Sequence, residues 1–178
     1  MIVAVLPNLD KRGSSDVVDK LGKILKSENI EAYLPDNIVA SNFKHAPNDE
    51  LFKIADIIIT IGGDGTIIRY AKNAAVYDKP VIGINAGRMG YLANLEQNEL
   101  HLLKKLKNND YSIEKRMMLA VSVFENGKLV TELNALNDAV ITSGFISRII
   151  DISVSLGSDS INYRADGLIV STPTGSTA

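Results

Sequence analysis

Apolar and polar residues follow two different rhythms along the 178-residue chain, and the change from one to the other falls near Tyr111. Ile2-Val3-Ala4-Val5-Leu6 is a short continuous apolar run stopped by Pro7-Asn8, which predicts a buried strand. From Ser15 to Ser27, Val17, Val18, Leu21, Ile24 and Leu25 recur on one helical face. The pattern then repeats. Ala55 to Ile61 reads as a second apolar strand, Thr66 to Val76 as a helix ended by Asp78-Lys79-Pro80, Val81 to Ile84 as a third strand, and Glu99 to Lys107 as a helix. Strands alternating with helices imply a parallel sheet with right-handed crossovers, a Rossmann-like α/β arrangement.

Beyond Tyr111 alternation of period two replaces helical spacing. Leu119 to Glu125 and Lys128 to Leu133 flank Asn126-Gly127, a strong hairpin signal. Ile149 to Leu156, Ser160 to Arg164 and Leu168 to Ser171 continue in the same style, with Gly157-Ser158-Asp159 between the first two. The expected organisation is an α/β nucleotide-binding domain over residues 1–111 and a β-rich domain over 112–178. The Met117-Met118 pair reads as core.

Composition narrows the chemistry. With 46% hydrophobic residues the chain can bury a substantial core, and a net charge of -2 with a pI near 5.7 supplies no general attraction to nucleic acid or to an anionic membrane. An anionic ligand must then be held by local geometry. The sequence contains no cysteine, which excludes disulfides, thiolate metal sites and thiol nucleophiles. The apolar runs are too short to span a bilayer, and Met1 leads straight into the first strand without a charged leader, so a cytoplasmic location is expected. His45 and His101 have no second ligand at metal spacing and receive no site.

The first candidate site is Gly62-Gly63-Asp64-Gly65-Thr66, which joins an apolar strand to a helix. Glycines allow close backbone approach, so several N–H groups can point at phosphate oxygens while the helix adds its positive end. No Gly-Lys-Ser/Thr closes the loop as in a Walker A motif, and Ile68 stands where the last glycine of G-x-G-x-x-G would be. Asp64 is unusual in a phosphate cradle. It can orient Mg²⁺ on a nucleotide, or act as general base toward an attacking hydroxyl. A tight turn with a capping aspartate is the bland alternative.

This glycine-rich stretch resembles the signature shared by NAD kinases, diacylglycerol and sphingosine-type lipid kinases and, more distantly, 6-phosphofructokinases. Later stretches separate them. Gly83-Ile84-Asn85-Ala86-Gly87-Arg88-Met89-Gly90-Tyr91-Leu92 is similar to the NAD kinase loop of form G-x-N-x-G-x-x-G-F-L, with Tyr91 in the place of the usual Phe. Glu114 to Leu119 resembles that family's R-x-x-L entry to its second domain, and Leu136-Asn137-Asp138 its Asn-Glu/Asp motif. Arg164 to Ala178 resembles its third signature almost letter for letter. The chain is identified by these motifs as a member of the NAD kinase family, prokaryotic type.

The resemblance implies transfer of the γ-phosphoryl of ATP, with Mg²⁺ or another divalent cation on the donor, to the 2′-hydroxyl of NAD. It implies Asp64 as the catalytic carboxylate and Gly62, Gly63, Gly65 and Thr66 around the donor phosphates. Tyr91 would pack beside the adenine, and Asn137 and Asp138 would bind the dinucleotide. Thr174, Ser176, Thr177 and Ala178 would contact the adenosine half. Arg164 joins the binding set, although it and Arg88 also read as surface or interface ion-pair partners, and Asp166 would reach NAD on a neighbouring subunit of a homodimer or homotetramer. The fold implied is an α/β domain followed by the first part of an all-β sandwich. A lipid kinase of the same superfamily is the alternative enzyme, disfavoured by the lack of a membrane-docking segment. Because the chain stops at Ala178 inside the third motif, a non-catalytic NAD-binding fragment is the remaining reading.

Overall fold

The computed structural model describes residues 1–87, 90–144 and 149–177, with Thr177 described by its backbone alone. The chain divides into two compact units, Met1–Glu114 and Lys115–Ala178. In the first unit, among the described residues, five parallel strands form one sheet: β1 (Ile2–Pro7), β2 (Glu31–Pro35), β3 (Lys44–Ala46), β4 (Ile57–Gly62) and β5 (Val81–Asn85), in the order β3-β2-β1-β4-β5. Helices α1 (Ser14–Ser27), α2 (Asn48–Ile54) and α3 (Asp64–Val76) make connections between strands, and a 3₁₀ helix runs from Gln97 to Asn108.

The continuous apolar runs in β1 and β4 follow from layers on both faces of the sheet. Val3, Val5, Ile57, Ile59 and Ile61 point to one face, where they pack with Val17, Leu21 and Leu25 of α1 and with Leu100, Leu103 and Leu106. Ala4, Leu6 and Ile58 point to the other, against Leu51 and Phe52 of α2 and Ala74 of α3. The helix expected at Glu99–Lys107 is the 3₁₀ segment. Its buried leucines recur every third residue, which matches a three-residue turn better than a turn of 3.6.

Strand order places the functional end of this unit. From β1 the chain winds outward through β2 and β3, then crosses back to β4 on the other side of β1, so the direction of winding reverses between β1 and β4. Open α/β sheets bind ligands at the carboxyl ends of strands flanking such a reversal. Those ends are Pro7-Asn8 and Gly62-Gly63, tied by the Asn8 amide donating to the Ile61 carbonyl at 2.8 Å.

The second unit holds, among the described residues, three two-stranded antiparallel ribbons. They are β6 (Leu119–Glu125) with β7 (Lys128–Ala135), β8 (Asp138–Thr142) with β11 (Gly167–Ser171), and β9 (Ile150–Leu156) with β10 (Asp159–Ala165). The first ribbon turns at Asn126 and Gly127, whose φ values of 50° and 75° are those a type I′ hairpin requires. One expectation fails here: Met117 is 65% exposed rather than core, because it lies in the irregular stretch ahead of β6.

Candidate active site

At the carboxyl end of β4, Gly63 is the N-cap of α3 and Asp64 its first residue, with the Thr66 amide returning to the Gly63 carbonyl at 2.9 Å. The glycines of this turn serve two purposes. A Cβ added to Gly63 or Gly65 would meet nothing within 4 Å, so the backbone there is open to an approaching ligand. A Cβ on Gly62 would instead overlap the side chain of Thr66, which is buried. The turn therefore offers accessible backbone and the positive end of a 13-residue helix on its outer side, while Gly62 is packed against Thr66 on its inner side.

The Asp64 carboxylate is held by a different stretch of chain. The Tyr91 amide donates to Oδ2 at 2.8 Å and the Leu92 amide to Oδ1 at 3.0 Å. That stretch is in turn anchored through Asn85, buried at the end of β5. Its Nδ2 donates to the Glu96 carboxylate at 3.0 and 3.2 Å, and its Oδ1 accepts from the Gly87 amide at 3.0 Å. Gly83 fits the same arrangement, since a Cβ there would overlap Ile67 of α3. Asn94 returns to it twice, by its amide to the Gly83 carbonyl and by its Oδ1 accepting from the Gly83 amide. Gly62, Gly63, Asp64, Gly65, Thr66 and Tyr91 thus come together at one end of the sheet.

The second unit builds a separate cluster around Thr172, a residue to which sequence reasoning gave no role. Thr172 is buried; its amide donates to the Asn137 carbonyl at 2.7 Å and its hydroxyl to the Leu136 carbonyl at 2.6 Å. The Gly175 and Ser176 amides return to Thr172, and a Cβ on Gly175 would overlap the Asn137 backbone. Arg116 donates to the Thr174 hydroxyl at 3.3 Å. Asn137, Asp138, Thr174 and Ser176 are therefore neighbours. Among the described residues, the Asn137 Oδ1 is buried without a hydrogen-bond partner, an acceptor suited to a ligand N–H or O–H.

Arg164 and Asp166 stand apart from this cluster. Register sets Ser171 opposite Asp138 and Gly167 opposite Thr142, so Asp166 lies beyond the far end of β11 from Asn137. Arg164 sits across the ladder from Asp151, its Nε 3.9 Å from that carboxylate, with both side chains exposed. Arg88, Ala178 and the Thr177 side chain lie outside the described residues.

An open parallel sheet with a glycine-rich turn at its winding reversal, and a carboxylate in that turn, is the arrangement in which open α/β folds bind their ligands. A family model for the ATP-NAD kinase N-terminal domain matches residues 3–111. The NAD kinase of Natranaerobius thermophilus is 39% identical over 98% of this chain and 63% of its own, and that of Thermoanaerobacter sp. 37% identical over 99% and 64%. A crystal structure of yeast NADH kinase complexed with NADH superposes with a TM-score of 0.86 at 18% identity, covering 100% of this chain and 59% of that one, which is likeness of fold. The chain belongs to the NAD kinase family. It spans a little under two thirds of the length of the curated relatives it matches.

Proposed function

We propose that this protein transfers the γ-phosphoryl group of ATP to the 2′-hydroxyl of the adenosine ribose of NAD, giving NADP. The observation that carries the reading is the Asp64 carboxylate, set at the N-terminus of α3 beside open glycine amides and held through both oxygens by Tyr91 and Leu92. Gly63 and Gly65 amides receive the donor phosphates, and Asp64 accepts the hydrogen bond of the attacking hydroxyl and aligns it with the γ-phosphorus. Phosphoryl transfer through a loose transition state asks for positioning and charge stabilisation more than for early proton removal, which suits a carboxylate that is clamped in place.

Asn137 and Asp138, with Thr174, Ser176, Thr177 and Ala178, take the adenosine half. The Asn137 Oδ1, buried without a partner among the described residues, supports that assignment. Among the described residues no three His, Cys, Asp or Glu side chains gather to hold a metal. In this reading magnesium enters with the donor substrate, on the phosphates of ATP, as is usual for this ion. Among the described residues no helix is long and apolar enough to cross a membrane. The reading is completed by a cytoplasmic homo-oligomer in which Asp166 and Arg164, remote from the Asn137 cluster, serve a neighbouring subunit.

The test is formation of NADP from NAD and Mg-ATP, followed for wild type and for Asp64→Asn. The variant should bind NAD with nearly unchanged affinity by calorimetry while turnover falls by about two orders of magnitude or more. Loss of NAD binding with turnover at saturation unchanged would reverse the role given to Asp64.

A further inference from the structure

Gly90 lies so close to the catalytic carboxylate that a Cβ placed on it would overlap both Oδ1 and the carboxyl carbon of Asp64. The two amides that follow divide the carboxylate between them, Tyr91 N–H on Oδ2 and Leu92 N–H on Oδ1. We propose that Gly90 is a positioning residue, and that Gly90-Tyr91-Leu92 is a backbone clamp that sets the rotation of the Asp64 carboxylate toward the acceptor hydroxyl. The proposal rests on the reading of Asp64 given above.

An aspartate on the first turn of a helix ordinarily samples a broad range of side-chain torsion about its carboxyl group. Donors on separate oxygens remove that freedom, since both hydrogen bonds are kept at only one orientation of the carboxylate plane. N–H donation to a carboxylate is also stronger than a neutral hydrogen bond. Each carboxylate oxygen has about two acceptor positions, so the clamp occupies one on each and leaves the other for a substrate hydroxyl. The arrangement requires the chain to run in contact with the carboxylate, and a glycine at 90 is what leaves room for it.

The clamp also carries Tyr91, whose side chain is exposed and which the family resemblance sets beside the adenine. Docking of the acceptor base on Tyr91 thus acts on the same short segment that orients Asp64. Acceptor binding and alignment of the carboxylate are coupled through one stretch of backbone, with no movement of α3 needed.

The experiment uses the full chain, labelled with ¹⁵N. In Asp64→Ala the amide signals of Tyr91 and Leu92 should shift and lose exchange protection well beyond those of other loop amides, and in Gly90→Ala the same two should respond. Gly90→Ala should lower kcat by about 10- to 100-fold, with the KM for Mg-ATP nearly unchanged. In an Asp64→Asn background Gly90→Ala should add little further loss, whereas a merely structural lesion would act on both backgrounds alike. Tyr91 and Leu92 amides indifferent to Asp64→Ala, or Gly90→Ala effects that multiply with those of Asp64→Asn, would overturn the clamp. The amide response needs no Gly90 variant to fold. It also needs no NADP formation, so failure of the kinase reading would show in the turnover assay while the clamp stood or fell on the amides.

Discussion

The Thr172 hydroxyl donates a 2.6 Å hydrogen bond to the carbonyl of Leu136, 36 residues earlier in the chain, and at the same time accepts from the Gly175 amide at 3.1 Å. One buried side chain therefore holds the Asn-Asp pair and the Thr/Ser/Gly-rich turn together. Replacing Thr172 with Val keeps the shape and leaves a carbonyl and an amide unpaired. We expect a loss of about 2 kcal/mol, measured by thermal or denaturant unfolding, and weaker NAD binding by calorimetry. Thr172→Ser should retain most of both, because it keeps the hydroxyl.

Asn85 offers a charge test of the segment that supports Asp64. Its amide donates to both oxygens of Glu96, so Asn85→Asp sets two carboxylates in hydrogen-bond contact. One of them must then have its folded-state pKa raised above its unfolded value. The destabilisation, roughly 2 kcal/mol at neutral pH, should be full above that raised pKa and fade as pH falls through it. A melting-temperature difference from wild type that stays flat between neutral and acid pH would contradict the prediction.

On the sheet edge, Lys44 of β3 pairs with Glu31 of β2 at 2.5 Å, and Tyr33 donates to the same carboxylate at 2.7 Å. The hydrogen bond from Lys44, with that from Tyr33, holds the Glu31 carboxyl below the usual glutamate range, and the Glu31 partner holds Lys44 above the usual lysine range. A lowered acid contributes stability above its unfolded pKa and loses it as pH falls through the lowered one. A raised lysine contributes below its unfolded pKa and loses it as pH rises through the raised one. The pair should thus support the edge strand across the whole neutral range and fail at both extremes. Both side chains are substantially exposed, at 63% and 39%, so the effect is small and screened. Lys44→Met should lower the melting temperature slightly near neutral pH, by an amount that shrinks in molar salt and disappears in strong acid.

Much of the first unit was legible from local pattern. Strands β1, β4 and β5 and helices α1 and α3 follow from apolar runs and helical spacing within a few residues of where they lie, because the inner strands are covered on both faces and each helix buries one apolar stripe against its own face of the sheet. The Asn126-Gly127 hairpin follows from two residues that tolerate positive φ. Strands β2 and β3 and helix α2 escaped sequence reading. Lys44-His45-Ala46 has one buried residue because β3 is the sheet edge and is never enclosed, and Glu31 to Pro35 mixes polar with apolar residues over only five positions.

The candidate site divides along the same line. By itself the sequence determined the order of strand, glycine turn and helix, the place of a carboxylate in that turn, and through its later motifs the family. Only the tertiary structure decided what each glycine is for. Gly63 and Gly65 face open space, while Gly62, Gly90 and Gly175 are pressed against Thr66, Asp64 and Asn137. A missing Cβ is written identically in both cases, and which one applies depends on residues brought near from elsewhere in the chain. The amides of Tyr91 and Leu92 on Asp64, and the hydroxyl of Thr172 on Leu136, have the same origin. In each, one partner is a backbone group that every residue carries, so no side-chain pattern announces the pairing before the chain is folded.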